Sequence, residues 1–327
     1  MSKVLITTVP FADKNKLPIE LLESAGIEYT INPLGRKLKA DELAEMVTDY
    51  DALIAGTEPI TENVMRRAAN LKLISRVGIG LDSVDLLAAE KLGIKVSYTP
   101  DAPAPAVAEL TIGLMLSLLR SVHVSNSMMH RGGWYRYFGR RIPEVTIGMI
   151  GAGRIGGRVL RRLSAFGTPR VLVNDINPDP HVTNDLKLEW VGKEEIYEQA
   201  DLISLHIPLT VHSKNMIRRE HLLRMKPDAL IVNTSRGGII NENDLADVLQ
   251  SGHLGGAAID VFEQEPYSGK LANIDRCLLT SHMGSMSIDC RTRMEIEATE
   301  EAVRFLTGKE LHGLVPKEEY EVQKQGL

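Results

Sequence analysis

The feature that most constrains the fold is an alternation of short apolar segments with longer segments that carry apolar residues three and four positions apart. The first series predicts strands at 3–8, 52–55, 73–76 and 95–97, and helices at 19–25, 41–48, 61–69 and 84–92. Strands that alternate with helices form a parallel sheet, which is buried on both faces. The sequence therefore predicts an α/β protein.

A second series follows a long helical segment at 104–130, whose start is marked by Pro100, Pro103 and Pro105. It predicts strands at 145–150, 171–174, 202–205, 230–233, 257–260 and 278–280, then a last helix at 288–307 and a polar tail. Two series predict two domains with a cleft between them. The pattern alone leaves open whether the last helix returns to the first domain.

Composition excludes several classes of protein. The 327 residues include 38 Lys and Arg against 43 Asp and Glu, and this net charge of −5 argues against nucleic-acid binding. The longest apolar stretch, 110–119, is about half of the ~20 residues that span a membrane. Cys277 and Cys290 cannot alone form a disulfide framework or a zinc site. We expect a cytoplasmic enzyme without a metal or a membrane anchor.

A glycine motif, Gly151-Ala-Gly153-Arg-Ile-Gly156, follows the first strand of the second series. Gly151 permits a tight turn, Gly153 lets the backbone approach a pyrophosphate, and Gly156 lets the next helix pack against the strand. The amino end of that helix offers N–H groups and partial positive charge to the pyrophosphate. The motif in this context predicts a dinucleotide site.

An acidic residue follows at the expected distance. Asp175 ends the next strand, 19 residues after Gly156, where a carboxylate accepts hydrogen bonds from the ribose of NAD. Ile176 stands where an NADP enzyme would often place arginine. The alternative is that Asp175 only caps a turn with Asn174 and Asn177. We expect NAD as the cofactor.

Three further segments place polar residues after predicted strands, the edge at which α/β sheets bind ligands. They are 233–238 with Arg236, 260–266 with Asp260 and Glu265, and 281–285 with His282. Each residue has a plainer interpretation: a surface charge, a loop acid, or a histidine packed at a strand end. Together they predict an Arg, Glu and His constellation.

These segments and the glycine motif resemble the D-2-hydroxyacid dehydrogenase family, as do 71–85, 108–113 and 206–210. The resemblance extends from about residue 51 to residue 314. It implies a flavodoxin-like substrate domain from 1–100 plus 288–327, and a Rossmann NAD-binding domain from 101–287. It also implies a homodimer that interconverts 2-oxo and D-2-hydroxy acids.

By this resemblance, Arg236 binds the substrate carboxylate and carbonyl, Glu265 orients the histidine, and His282 exchanges the proton. The chemistry suits these residue types. Arg presents a planar fork of donors to a carboxylate. An imidazole with a reference pKa of ~6.5 exchanges protons near neutral pH, and a carboxylate on its other nitrogen fixes the tautomer.

The resemblance implies further contacts. The backbone at Arg154 and Ile155 would face the pyrophosphate, and His206 and Pro208 would line the adenosine side, although His206 can equally be a packing residue. The nicotinamide side would be formed by Thr234, Asp260 (through the carboxamide) and Gly284. On the substrate side, Arg76 would lie near a substrate phosphate. The substrate carboxylate would be bound by the backbone N–H groups of the following turn, Val77, Gly78, Ile79 and Gly80, in which the two glycines permit close approach.

The sequence departs from the family pattern at several points. Glu58 would repel a substrate phosphate, and Ser281 replaces the proline that usually precedes the histidine. The aromatic segment 134–138 predicts either a dimer interface or a cover that selects substrate size. No room is left after the last helix for the regulatory domain of some phosphoglycerate dehydrogenases.

The leading prediction is a phosphoglycerate dehydrogenase-like enzyme without a regulatory domain. The alternatives are a hydroxypyruvate or glyoxylate reductase, a corepressor-like NAD-sensing interaction protein, and an enzyme that oxidises formate or phosphite.

Overall fold

A computed structural model describes residues 2–167 and 169–325. The chain divides into two compact units, the first formed by Met1–Pro103 and Met286–Leu327, the second by Ala104–Ser285. Residues 1, 168, 326 and 327, which fall within the predicted domain ranges, lie outside the described residues.

The first unit contains a parallel five-stranded sheet of order β2-β1-β3-β4-β5. Its strands are β1 (Lys3–Ile6), β2 (Glu28–Ile31), β3 (Ala52–Ala55), β4 (Leu73–Arg76) and β5 (Lys95–Tyr98). Its helices are α1 (Leu17–Ser24), α2 (Ala40–Met46), α3 (Glu62–Arg67), α4 (Leu86–Leu92), α11 (Ile288–Leu306) and α12 (Lys317–Lys324). This is the flavodoxin-like strand order, which reverses between β1 and β3.

Alternate residues of these strands are buried in two separate apolar clusters, one on each face of the sheet. Leu5 and Leu53 belong to one cluster, and Val4 and Ile54 belong to the other. The second cluster is completed by α11, whose buried Met294, Ala298 and Ala302 recur every four residues and so form one helix face. Helix α11, which follows the second unit along the chain, thus packs into the core of the first unit.

The second unit contains a parallel seven-stranded sheet of order β12-β11-β10-β9-β6-β7-β8. Its strands are β6 (Thr146–Ile150), β7 (Arg170–Asn174), β8 (Leu188–Trp190), β9 (Leu202–Leu205), β10 (Leu230–Asn233), β11 (Gly256–Ile259) and β12 (Cys277–Leu279). Its α-helices are α5 (Ala104–Leu119), α6 (Val122–His130), α7 (Gly156–Leu163), α8 (Lys193–Gln199), α9 (Arg219–Arg224) and α10 (Glu242–Gln250). Three 3-10 helices occupy Ile142–Glu144, Ser164–Phe166 and Lys270–Asn273.

The seven-stranded sheet contains the Rossmann order, with one more strand beyond it, and the order reverses between β6 and β9. Neighbouring residues of its strands again face opposite clusters: Ile203 lies in one and Leu202 in the other. Both sheets confirm the predicted α/β class with two doubly wound parallel sheets. Cys277 and Cys290 are buried and unlinked, and burial raises the pKa of Cys277 to about 12.

The predicted single helix at 104–130 is wrong. It is two helices, α5 and α6, bent by 67° at a break where Ser121 has a φ of +51°. Among the described residues no single helix is long and apolar enough to span a membrane, and only this bent pair reaches that length and composition together. The strands β2 and β8 and the helix α12 were not predicted.

Candidate active site

The glycine motif lies between β6 and α7, at the point where the strand order of the second sheet reverses. Gly151 has a φ of +96°, and a Cβ there would overlap the carbonyl oxygen of His206. A Cβ on Gly156 would overlap the carbonyl oxygen of Gly151, whereas one on Gly153 would meet open space. The turn therefore needs its first and third glycines for packing, and the second leaves the backbone open to a ligand.

The residues after Gly153 fit this arrangement. Arg154 is exposed, and Ile155 packs against the core beside α7. The cradle of backbone at the start of α7 suits a pyrophosphate, and the chemistry of its donors fits NAD. Among the described residues no group of three or more His, Cys, Asp or Glu side chains is placed to hold a metal ion.

Asp175 ties the end of β7 to this turn. Its Oδ2 accepts a hydrogen bond from the Ala152 N–H at 2.7 Å, and its Oδ1 accepts one from the Asn177 N–H at 2.8 Å. These two contacts support the interpretation that Asp175 caps a turn. Each carboxylate oxygen keeps a lone pair for a ribose hydroxyl, so capping and cofactor binding are compatible. Ile176 is almost fully exposed.

His206 packs behind the same turn. Its Nε2 lies 2.9 Å from Ser204 Oγ, and burial lowers its pKa to about 3. The imidazole is therefore neutral at working pH. These contacts explain His206 as a packing residue, and its place on the adenosine side stays a prediction. Pro208 is exposed, and its carbonyl accepts a hydrogen bond from Ser213 Oγ at 2.7 Å.

His282 and Glu265, both in the second unit, form a hydrogen-bonded pair. His282 Nδ1 lies 2.9 Å from Glu265 Oε1 and 3.0 Å from Oε2. Because a carboxylate only accepts hydrogen bonds, Nδ1 carries the proton in this contact. The Nε2 atom has no partner within the described residues, and the side chain is 37% exposed. The geometry leaves Nε2 as the atom that can exchange a proton with a ligand.

Asp260 holds the loop that carries His282. Asp260 is 1% exposed. Its Oδ1 accepts hydrogen bonds from Thr280 Oγ1 at 2.6 Å and from the Met283 N–H at 2.9 Å. Its Oδ2 accepts a hydrogen bond from the Gly284 N–H at 2.9 Å. His282 itself has a φ of +51°, which few residues with a Cβ adopt. Asp260 therefore fixes the loop on both sides of this strained residue. Its Oδ2 keeps a lone pair for a carboxamide.

Arg236 is presented by a turn that Asn233 builds at the end of β10. Asn233 Nδ2 donates to the Arg236 carbonyl at 2.8 Å, and its Oδ1 accepts from the Ser235 N–H at 3.1 Å. Thr234, buried beside this turn, contacts Thr111 Oγ1 of α5 at 2.8 Å. Sequence reasoning assigned no role to Asn233 or Thr111. The Asx-turn pattern could have found Asn233, whereas nothing local indicates Thr111.

In the first unit, the turn after β4 encloses a buried arginine. Arg76 is 5% exposed, its guanidinium donates to the Val77 carbonyl, and its Nη1 would lie 2.9 Å from a Cβ on Gly78. The Val77 N–H donates to the Ala55 carbonyl, and the Gly78 N–H donates to Thr99 Oγ1 at 2.8 Å. These two N–H groups are therefore already used.

The next two residues of the turn differ. Within the described residues, the N–H groups of Ile79 and Gly80 have no acceptor. Of the four donors predicted for a substrate carboxylate, these two remain available.

Glu58 lies at the carboxyl end of β3, next to the reversal of strand order in the first sheet. It is 1% exposed and accepts hydrogen bonds from Thr7 Oγ1 and from the Gly56 N–H, the latter at 2.9 Å. Within the described part of the chain no cation pairs with it. A buried carboxyl group without a paired cation therefore lies at the ligand-binding edge of this sheet.

The fold and these strand-end groups define a two-domain oxidoreductase of the dinucleotide-binding class. The family model for the NAD binding domain of D-isomer specific 2-hydroxyacid dehydrogenases matches residues 112–284. The chain is 36% identical to hydroxypyruvate reductase from Thermotoga maritima, over 82% of this chain and 89% of that protein. It is also 36% identical to D-3-phosphoglycerate dehydrogenase from Methanocaldococcus jannaschii, over 94% of this chain and 58% of that longer protein.

The structural comparison agrees. The TT0316 protein from Thermus thermophilus has a TM-score of 0.87 and 34% identity, over 96% of this chain and all of that chain. The chain belongs to the D-isomer specific 2-hydroxyacid dehydrogenase family. It is an enzyme that uses NAD, as the sequence predicted.

Proposed function

We propose that the enzyme interconverts a small 2-oxo acid and its D-2-hydroxy acid through Arg236, Glu265 and His282. The observation that carries the proposal is the contact of His282 Nδ1 with both oxygens of Glu265, at 2.9 and 3.0 Å, which leaves Nε2 to exchange the proton. When bound, NADH supplies the hydride to the carbonyl carbon. His282 donates its Nε2 proton to the carbonyl oxygen, and Glu265 stabilises the imidazolium before that transfer.

The substrate carboxylate is assigned to two groups of donors. Arg236 offers a planar fork that matches a carboxylate or the carbonyl oxygen beside it. In the first unit, the N–H groups of Ile79 and Gly80 are the available donors of the turn after β4. On this basis 1–100 with 288–327 serves as the substrate domain, and 101–287 serves as the NAD-binding domain.

The substrate that this site favours is not phosphorylated. Glu58 places a buried carboxylate at the carboxyl end of β3, and Arg76, the expected phosphate ligand, is buried and donates to its own turn. A buried carboxyl group without a paired cation offers a phosphate dianion no positive charge, and any ionised fraction of it repels the phosphate. This observation favours a hydroxypyruvate or glyoxylate reductase over a phosphoglycerate dehydrogenase.

The test follows NADH consumption with glyoxylate, hydroxypyruvate, pyruvate, 2-oxoglutarate and phosphohydroxypyruvate, and with NADPH as the alternative cofactor. We expect turnover of a small unphosphorylated acid with NADH, and loss of at least two orders of magnitude in kcat/KM in Arg236→Ala. Preference for phosphohydroxypyruvate would overturn the substrate assignment. No turnover despite NADH binding would favour the NAD-sensing interaction protein.

The assembly that we propose is a homodimer in the cytoplasm, with no nucleic-acid or membrane partner. The aromatic segment 134–138 supports a second copy as the partner, because Trp134, Tyr135 and Phe138 are 75%, 60% and 101% exposed in one chain. Light scattering should give twice the chain mass for the native protein and one chain mass for Phe138→Glu. A monomeric native protein would contradict this assignment.

A further inference from the structure

The loop that carries Glu265 is docked onto the start of α10. Gly237, next to Arg236, packs so closely on this loop that a Cβ would overlap the backbone of Phe262 and Glu263. Glu242, the first residue of α10, accepts a hydrogen bond from the Glu263 N–H at 2.6 Å. The Phe262 N–H donates to Glu265 Oε1 at 3.2 Å. A chain of short contacts thus connects Glu242 to the carboxylate that holds His282.

The surroundings of Glu242 are acidic on the side of this loop. Burial raises the pKa of Glu242. The hydrogen bond from the Glu263 N–H opposes this rise, and the negative charges of Glu263 and Glu265 add to it. Burial raises the pKa of Tyr267, and the negative charge of Glu242 contributes to this rise.

The charged groups on the other elements around α10 are engaged elsewhere. Arg219 of α9 and Lys270 of the adjacent 3-10 helix approach Asp247 at 3.8 and 3.4 Å. Asp244 accepts a hydrogen bond from the Arg219 N–H at 3.0 Å. No cation pairs with Glu242 within the described residues. Its charge therefore acts mainly on the loop that carries Glu265.

We propose that Glu242 is a positioning residue for the Glu265–His282 pair: its carboxylate fixes the Glu265 loop, and its negative charge favours the protonated form of His282. This inference rests on the proposed function for the roles of Glu265 and His282. The contact between Glu242 and Glu263 is independent of it. Glu242 does not touch the reacting atoms, so its effect is transmitted through Glu265.

The test separates the charge from the hydrogen bond. In Glu242→Gln the amide oxygen can still accept from the Glu263 N–H, whereas Glu242→Ala loses both the contact and the charge. The control is Asp247→Asn, which removes a charge from the same helix at a site that faces Arg219 and Lys270. The imidazole of His282 is titrated by NMR in the full chain, and its resonance is assigned from its loss in His282→Asn.

We expect the midpoint of the His282 titration to fall by about half a pH unit in Glu242→Gln, the size of one partly screened charge. It should stay unchanged in Asp247→Asn. In steady-state assays, Glu242→Ala should lower kcat about tenfold with an unchanged KM for NADH, and Glu242→Gln should restore most of that kcat.

An unchanged midpoint in Glu242→Gln would overturn the electrostatic role, and a native kcat in Glu242→Ala would overturn the positioning role. The titration needs no turnover. If the native enzyme reduced no 2-oxo acid, the proposed function would fail while the shift in midpoint still decided this inference.

Discussion

Replacing Asp260 with Asn tests how the His282 loop is held. The carboxylate accepts three hydrogen bonds, from Thr280, Met283 and Gly284, and is almost fully buried. An amide has only one accepting oxygen. The least costly orientation keeps Oδ1 as the acceptor for Thr280 and Met283 and places the NH₂ group against the Gly284 N–H. The Gly284 N–H then loses its acceptor, at about 1–3 kcal/mol, and the buried NH₂ group faces this donor without an acceptor of its own. The two remaining bonds lose their charge assistance.

We therefore expect Asp260→Asn to lower the free energy of unfolding by about 2–4 kcal/mol. Release of the left-handed turn at His282 should also lower kcat by about two orders of magnitude, because a small misplacement of a catalytic group is costly. Urea unfolding and NADH-linked turnover measure the two effects.

The matched control is Asp275→Asn. Asp275 pairs with Arg131 at 2.9 Å, but their side chains are 61% and 59% exposed. Its loss should change stability by no more than about 0.5–1 kcal/mol. Equal stability of Asp260→Asn and the native enzyme would refute the account of the loop.

Two further predictions concern the glycine motif and His206, which packs behind it. Gly156→Ala should raise the Kd for NADH at least about tenfold, because the added Cβ overlaps the Gly151 carbonyl and displaces the pyrophosphate cradle; fluorescence titration measures it, and native affinity would contradict the packing. His206 has a folded pKa of about 3 against ~6.5 unfolded, so below pH ~6.5 only the unfolded state takes up the proton. Stability should therefore fall by about 1.3 kcal/mol between pH 7 and 5.5 relative to His206→Gln, and parallel pH dependence of the two proteins would contradict burial.

The sequence predicted the buried strands well because each presents apolar side chains to both faces of a sheet. Strand β2 was not predicted because three of its four residues are exposed at the sheet edge, where the sequence shows no hydrophobic pattern. The break between α5 and α6 was not predicted for a different reason. Ser121 adopts a left-handed backbone without a glycine or a proline to mark it.

The candidate site divides in the same way. Gly151 and Gly156 could be identified from spacing, because the turn admits no Cβ at either position. Two features of the site could not be predicted. The Gly78 N–H donates a hydrogen bond to Thr99, and the Asp260 carboxylate accepts three hydrogen bonds. Both depend on which side chains of distant segments meet after folding, and a single sequence does not contain that distance information.

The role of His282 as the proton donor is tested by the rate of hydride transfer in a single turnover of His282→Asn. Asn accepts a positive φ more readily than most residues, so the loop can keep its shape while the proton donor is lost. We predict a rate lower by about 10²–10⁴-fold, the contribution typical of general acid catalysis, with an unchanged Kd for NADH. A rate equal to that of the native enzyme would show that His282 does not supply the proton.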